Sequence, residues 1–180
     1  YTFLGYDPSL EITCLNGQMK IGSLTFETTD PGSYIRQVVA DHKSPRFDYL
    51  PSFTGGLVGY FSYDYLKYAE PTLRFDAEDT EGFKDVDLML FDKVIAFDNF
   101  RQKIILMVNI DLEHLETEYN RASLELCSMA DLIKNGEPKE DIPGHCTTPV
   151  TPLFQKEEYC EMVENAKHHI KEGDIFQIVL

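Results

Sequence analysis

Histidine and cysteine are the residues of this chain best suited to chemistry, because they supply general bases, nucleophiles and metal ligands. They are scattered along the 180 residues. The histidines are His42, His114, His145, His168 and His169, and the cysteines are Cys14, Cys127, Cys146 and Cys160. The serines and cysteines do not fall in a strand-to-helix nucleophile elbow. We therefore predict no catalytic residue here and interpret the histidines as surface residues.

A zinc site would have to draw on Cys127, His145, Cys146, Cys160 and the pair His168-His169. These spacings do not contain two close ligand pairs, which structural zinc sites need. Adjacent histidines on a helix also point in different directions. We therefore predict free thiols in a reducing cytosol, a cytoplasmic location and no metal-binding residue.

An acidic run, Asp76-Ala-Glu-Asp-Thr-Glu81, is the other candidate for a divalent cation. It lacks the glycine and the 12-residue spacing of a calcium-binding loop. A solvated loop is the expected structure.

The most distinctive stretch is rich in glycine and runs from Phe53 to Pro71. Gly55, Gly56 and Gly59 suggest a phosphate loop, but no Gly-Lys-Ser/Thr follows them. Glycine also lets a backbone turn sharply or pack closely against a neighbour, and we prefer that interpretation. We predict a buried strand over 57–62 and a short helix over 63–70.

The chain is acidic, with 31 Asp and Glu against 16 Lys and Arg and a formal net charge of -15. Such a surface repels nucleic acid and anionic membranes, so we predict neither as a partner. No apolar run approaches the roughly 20 residues that span a bilayer. The acidity itself is interpreted as a source of solubility, since 43% hydrophobic residues suffice for a core.

The first third of the chain predicts a hairpin and a helix. Asn16-Gly17 tolerates the positive φ angles of a tight turn, so residues 10–22 are expected to form a β-hairpin. Asp30 can cap a helix that starts at Pro31 and continues to about Ala40.

Two long antiparallel strands are predicted next, over 86–97 and 100–110, because both are rich in β-branched and large apolar residues. A helix is predicted over 112–134 and ends at Asn135-Gly136. Its apolar positions recur every three or four residues and indicate a face packed on the sheet. They are Leu115, Tyr119, Ala122, Leu126, Met129 and Ile133.

Residues 137–152 are rich in proline, which propagates neither a helix nor a central strand, so this segment is predicted to be a linker. A second amphipathic helix is expected over about 156–172, ended by Gly173. Residues 174–180 then read as an apolar strand. The predicted organisation is a domain over 1–136, the linker over 137–152, and the start of another domain over 153–180.

Three segments together resemble the anthranilate synthase component I family. They are Tyr1-Thr-Phe-Leu-Gly-Tyr-Asp-Pro8, then Gly55-Gly-Leu-Val-Gly-Tyr-Phe-Ser-Tyr-Asp64 with Glu70, and the helix and strand over 156–180 that ends Gly173-Asp-Ile-Phe-Gln-Ile-Val-Leu180. Their order and separation strengthen the resemblance. Because the chain starts within a strand and stops within the last segment, we expect an N-terminal fragment.

The resemblance implies a mixed α/β fold of the α+β type, a largely antiparallel sheet covered by helices. It implies a parent lyase that converts chorismate and ammonia to anthranilate and pyruvate in tryptophan biosynthesis. A glutamine amidotransferase subunit, component II, supplies the ammonia from glutamine. Mg²⁺ binds the carboxylates of chorismate, and tryptophan inhibits the enzyme by feedback.

No site residue carries over, because the family's magnesium-binding glutamates, catalytic histidine and chorismate-binding arginine match no position here. The two tryptophan-binding motifs of the family are also missing from these 180 residues. We therefore assign no catalytic, cofactor-binding or metal residue, and expect the fragment to be inactive and to bind no Mg²⁺ by itself.

Two alternatives stay open. Aminodeoxychorismate synthase component I, of the folate pathway, usually has Tyr in place of Phe176 and Asn in place of Val179, so this chain resembles the anthranilate branch more closely. A free-standing regulatory module that senses an amino acid is the other. In a fragment of the parent enzyme, the apolar helix face and strand of 153–180 would lack the catalytic domain that covers them, and we expect self-association through that segment.

Overall fold

The computed structural model describes residues 1–75, 79–140 and 143–180. The chain divides into two units, Tyr1–Glu137 and Pro138–Leu180. The strands of the described residues all lie in the first unit. They are β1 (Thr2–Leu4), β2 (Leu10–Leu15), β3 (Gln18–Ile21), β4 (Leu24–Glu27), β5 (Gly56–Phe61), β6 (Val86–Phe91), β7 (Lys93–Asp98) and β8 (Lys103–Val108).

Two antiparallel sheets form the first unit, one in the order β4-β3-β2-β6-β5 and the other in the order β1-β7-β8. Its helices are α1 (Pro31–Asp41), a 3₁₀ helix (Tyr63–Tyr68) and α2 (Leu115–Asn135). The predicted α+β class, with antiparallel sheet and helices, is confirmed.

The predicted hairpin is β2–β3. Asn16 and Gly17 have φ angles of 50° and 82°, as a two-residue hairpin turn requires. The helix after it is also confirmed, because Asp30 accepts a hydrogen bond from the Ser33 N–H at 3.1 Å and Pro31 occupies the first turn. The hairpin turn and the N-terminal cap of α1 are both specified by local sequence.

The strand predicted over 86–97 is wrong as a single element. It breaks at Asp92 into β6, which pairs with β2 and β5, and β7, which pairs with β1 and β8. The two halves fill different cores, since Val86 and Leu88 belong to one cluster and Val94 and Ala96 to another. The break therefore transfers the chain from one sheet to the other.

The strand predicted over 57–62 is present as β5, but it is not buried. It lies at the edge of its sheet, and four of its six residues are exposed. The apolar composition alone could not show that only one flank of the strand has a neighbour.

Each sheet carries its own core. α1 covers the five-stranded sheet with Ile35 and Val38, which pack against Ile12, Met19 and Val86. α2 packs on β8. Within its predicted apolar stripe Ala122 and Met129 are buried, whereas Leu115, Tyr119 and Ile133 are exposed.

The second unit contains α3 (Lys156–Glu172). A reciprocal cap begins it, in which the Glu158 carboxylate accepts the Gln155 N–H at 2.9 Å. Gly173 ends it with a φ of 84°, as predicted.

The strand predicted over 174–180 is wrong, because those residues form no strand. A strand satisfies its N–H and C=O groups only by pairing, and the described residues of this unit offer no other strand. Residues 138–140 and 143–152 form neither helix nor strand. Over the described residues, no helix is long and apolar enough to cross a membrane.

Candidate functional site

The most organised polar site is built around the Asp85 carboxylate, whose side chain is 3% exposed. One oxygen, Oδ1, binds Lys67 Nζ at 2.7 Å. The other, Oδ2, accepts hydrogen bonds from the Tyr68 hydroxyl at 2.7 Å and the Asn16 N–H at 2.8 Å. We call Asn16, Gly17, Lys67, Tyr68 and Asp85 the Asp85 anchor.

Tyr68 is held on several sides. Its hydroxyl accepts the Gly17 N–H at 2.7 Å and lies 3.4 Å from the Cys14 sulfur. Burial, and then the hydrogen bonds to Cys14 and Asp85, raise the pKa of Tyr68 well above its ordinary value. The phenol therefore stays protonated and acts as a fixed donor to Asp85.

Local structure delivers each member of the Asp85 anchor. The 3₁₀ helix presents Lys67 and Tyr68, and the tight turn of the hairpin presents the N–H groups of Asn16 and Gly17. Asp85 precedes β6, where its own N–H donates to the Cys14 carbonyl at 2.8 Å. The anchor thus fastens three separate chain segments together.

Chemically this arrangement favours positioning over catalysis. A buried carboxylate is stable only when it is paired and fully hydrogen-bonded, and here both oxygens are satisfied. The Lys67 ammonium pairs with Asp85 and donates a further hydrogen bond to Asn16 Oδ1 at 2.8 Å. Neither group is free to act on a substrate.

A cavity of about 890 Å³ lies beside the Asp85 anchor. Apart from Lys67 and Glu27, the residues that line it are uncharged. Because Asp85 neutralises Lys67, the remaining charge is the Glu27 carboxylate, and a dianionic ligand would be disfavoured there.

A second cavity, of about 810 Å³, lies along the loop between α1 and β5. It brings Lys43 and Arg46 near the glycine pair Gly55-Gly56, together with Asp48. Sequence reasoning missed this grouping, because two cations within five residues after the end of α1 are an ordinary loop composition. Both cations are exposed, so the grouping is not a preformed charged pocket.

The glycines of the distinctive stretch serve close packing, as predicted. A Cβ on Gly59, whose φ is 156°, would overlap the carbonyl group of Asp87 on β6. A Cβ on Gly55 would crowd the Asn109 side chain, which donates hydrogen bonds to the carbonyls of Thr54 and Asp92 at 2.8 and 3.1 Å.

The structure does not assemble the histidines. His42 hydrogen-bonds the Val38 carbonyl at the end of α1, and His114 precedes α2. His145 is exposed in the loop before α3. His168 and His169 are exposed on α3, where His169 contacts Asp174 at 2.9 Å.

The cysteines are free thiols, with Cys14 buried and Cys127, Cys146 and Cys160 exposed. Of the acidic run over 76–81, residues 76–78 lie outside the described residues, and Asp79 caps the N–H groups of Glu81 and Gly82. Within the part of the chain that the structure describes, no three His, Cys, Asp or Glu side chains are grouped to hold a metal ion.

Comparisons with known proteins give a consistent result. A family model described as chorismate binding enzyme matches residues 2–180. Anthranilate synthase component 1 of Acinetobacter calcoaceticus is 35% identical over 99% of this chain and 37% of its own length. The chloroplastic anthranilate synthase alpha subunit 2 of Oryza sativa subsp. japonica is 34% identical over 100% of this chain and 33% of its own length.

A solved structure is also similar. The crystal structure of anthranilate synthase component I from Streptococcus pneumoniae TIGR4 matches with a TM-score of 0.71 and 26% identity. The match covers 96% of this chain and 38% of that one. The chain thus spans about a third of the length of the curated relatives described above.

Proposed function

This chain belongs to the family of chorismate binding enzymes, and we propose that it forms the N-terminal part of an anthranilate synthase component I. The observation that carries the proposal is the family match over residues 2–180, supported by relatives that are anthranilate synthase components. Those relatives favour the anthranilate branch over aminodeoxychorismate synthase.

The reaction we propose for the whole enzyme is that of a lyase. Chorismate and ammonia are converted to anthranilate and pyruvate, with ammonia supplied from glutamine by an amidotransferase subunit. Tryptophan, the end product, is the proposed feedback inhibitor, and the cytoplasm is the proposed compartment. The formal net charge of -15 favours the solubility of this part of the enzyme.

Magnesium would supply a hard Lewis acid for the carboxylates of chorismate. The described residues do not fit such an ion, because they contain no cluster of three or more potential ligands. We therefore derive no step through a metal from this chain, and we propose that the chain by itself is inactive.

The role we propose for the chain is to form a rigid scaffold. The Asp85 anchor holds the 3₁₀ helix that follows β5 against the β2–β3 turn. Residues 1–136 form the proposed N-terminal domain, 137–152 the linker, and 153–180 the beginning of the catalytic domain. In isolation, the chain is expected to self-associate through 153–180.

The experiment compares two proteins in an assay of anthranilate fluorescence, with chorismate, ammonium and Mg²⁺. One is the 180-residue chain, and the other is the full-length gene product that carries it. We expect product from the full-length protein and none from the chain. Product from the chain would overturn the proposed inactivity, and no product from the full-length protein would overturn the proposed function. Calorimetry with tryptophan is expected to show no stoichiometric micromolar binding to the 180-residue chain.

A further inference from the structure

The two sheets end in four edge strands, and one of these differs from the rest. β1 has three residues, β4 ends in Glu27, and β8 begins with Lys103. Short length and charged residues are the usual protection of a sheet edge against other strands. β5 has six residues, Gly-Leu-Val-Gly-Tyr-Phe, with neither a charge nor a proline.

On its outer side, the backbone of β5 has hydrogen-bonding groups that no described residue pairs. β5 pairs with β6 along its whole length, from Gly56 opposite Phe91 to Phe61 opposite Val86. In the same register, the Ser62 N–H donates to the Asp85 carbonyl at 2.9 Å. Antiparallel pairs alternate between bonded and non-bonded positions. The N–H and C=O groups of Leu57, Gly59 and Phe61 therefore point away from β6.

Large apolar side chains accompany this free edge. Val58, Tyr60 and Phe61 are 46%, 42% and 50% exposed. In a chain with 31 acidic residues, this six-residue edge carries none. An edge that is long, uncharged and apolar is a template for a further strand.

We propose that the outer edge of β5 is an interaction surface that takes a β-strand from the part of the enzyme outside these 180 residues. This inference rests on the proposed function, because it requires the longer polypeptide. The matching solved structure contains this fold within a chain of which these residues cover 38%. A strand tethered in the same polypeptide can have an effective concentration of about a millimolar. A second copy of the chain, at ordinary protein concentration, cannot compete with it.

Hydrogen exchange tests the proposal residue by residue. In the 180-residue chain, the amides of Leu57, Gly59 and Phe61 are expected to exchange rapidly, while those of Val58 and Tyr60 are protected by β6. In the full-length protein the three outward amides are expected to slow by at least about 100-fold.

A pair of variants of the full-length protein adds a control. Val58→Lys places a charge on the β5 edge, and we expect it to restore rapid exchange at the outward amides. Leu24→Lys makes the same change on β4, where Leu24 is 67% exposed, and is expected to leave them protected. Circular dichroism of both variants in the 180-residue chain reports whether the fold itself is retained.

Rapid exchange of the three amides in both proteins overturns the proposal. Protection of these amides in the 180-residue chain that grows with protein concentration also overturns it, because the occupant of the edge would then be a second copy of the chain. The anthranilate assay separates this result from the proposed function. A full-length protein that makes anthranilate while its β5 amides exchange rapidly retains the function and loses the inference.

Discussion

Both units of this chain contain apolar segments, but their structures are very different. Tyr1–Glu137 builds two sheets, two cores and a buried carboxylate with every oxygen satisfied. In Pro138–Leu180, the structure describes one helix of which Ala166 is buried, while Leu153, Phe176 and Val179 are 94%, 99% and 88% exposed. An apolar segment becomes a core element only when another element is present to cover it.

Removal of the Asp85 carboxylate should give the largest effect. Asp85→Ala leaves the Lys67 ammonium, the Tyr68 hydroxyl and the Asn16 N–H without their partner, and we expect a loss of about 3 to 4 kcal/mol in the free energy of unfolding. Urea denaturation measures it. Asp87→Asn, which breaks a partly exposed ion pair with Lys84 at 2.8 Å, is the control and should cost less than about 1 kcal/mol. Equal losses would show that the Asp85 anchor has no special weight.

The same substitution in both units sharpens the comparison. Met129→Ala, at a fully buried position of α2, should cost about 3 kcal/mol through lost burial and a cavity. Met162→Ala, on the half-buried face of α3, should change the free energy of unfolding by less than about 1 kcal/mol. A larger loss for Met162 than for Met129 would contradict the contrast between the units.

Glycine substitutions extend the contrast to the backbone. Gly59→Ala should cost about 2 kcal/mol, because the new Cβ overlaps the Asp87 carbonyl on β6. Gly144→Ala, with nothing nearby, should be neutral within about 0.5 kcal/mol. Thermal unfolding of the two variants measures the difference, and a neutral Gly59→Ala would show that β5 is free to shift.

The smallest expected effect is a pH dependence. The Arg101 N–H, and then its guanidinium, lower the pKa of Asp98 below its ordinary value. A carboxyl whose pKa is lowered in the folded state stabilises the protein above its ordinary pKa, which is about 4. That stabilisation is lost as the pH falls through the lowered pKa. Asp98→Asn should therefore reduce stability at neutral pH and have less effect in acid.

Glu164 gives the matched case in the second unit. A hydrogen bond from Lys167 lowers its pKa, but the pair is exposed and three residues apart on one helix. At neutral pH, Glu164→Gln should change stability less than Asp98→Asn, and added salt should abolish the effect of Glu164→Gln because the pair is exposed. A greater sensitivity at Glu164 would reverse the comparison.

Local patterns made part of this structure predictable from sequence. Asn16-Gly17 specifies a tight turn, Asp30 caps α1, and Gly173 ends α3. Each of these elements is decided within a few residues of chain. The family resemblance was also carried by short segments in order, and the family match over residues 2–180 confirms it.

The rest depended on long-range neighbours. The break at Asp92 exists because β6 and β7 belong to different sheets. The sequence around residue 92 contains no turn signal that would predict it. The Asp85 anchor joins residues up to 69 positions apart, from Asn16 to Asp85. The strand expected over 174–180 is wrong for the same reason, because its composition is suitable but the described residues of the second unit contain no strand with which it could pair.

We propose that the first unit folds by itself and that residues 153–180 depend on the rest of the full-length polypeptide. Light scattering of the full chain and of a chain that ends at Gly144 tests it most directly. We predict that the full chain self-associates with increasing concentration and that the shortened chain stays monomeric. Two monomeric proteins, with residues 153–180 unprotected in hydrogen exchange, would contradict the predicted association.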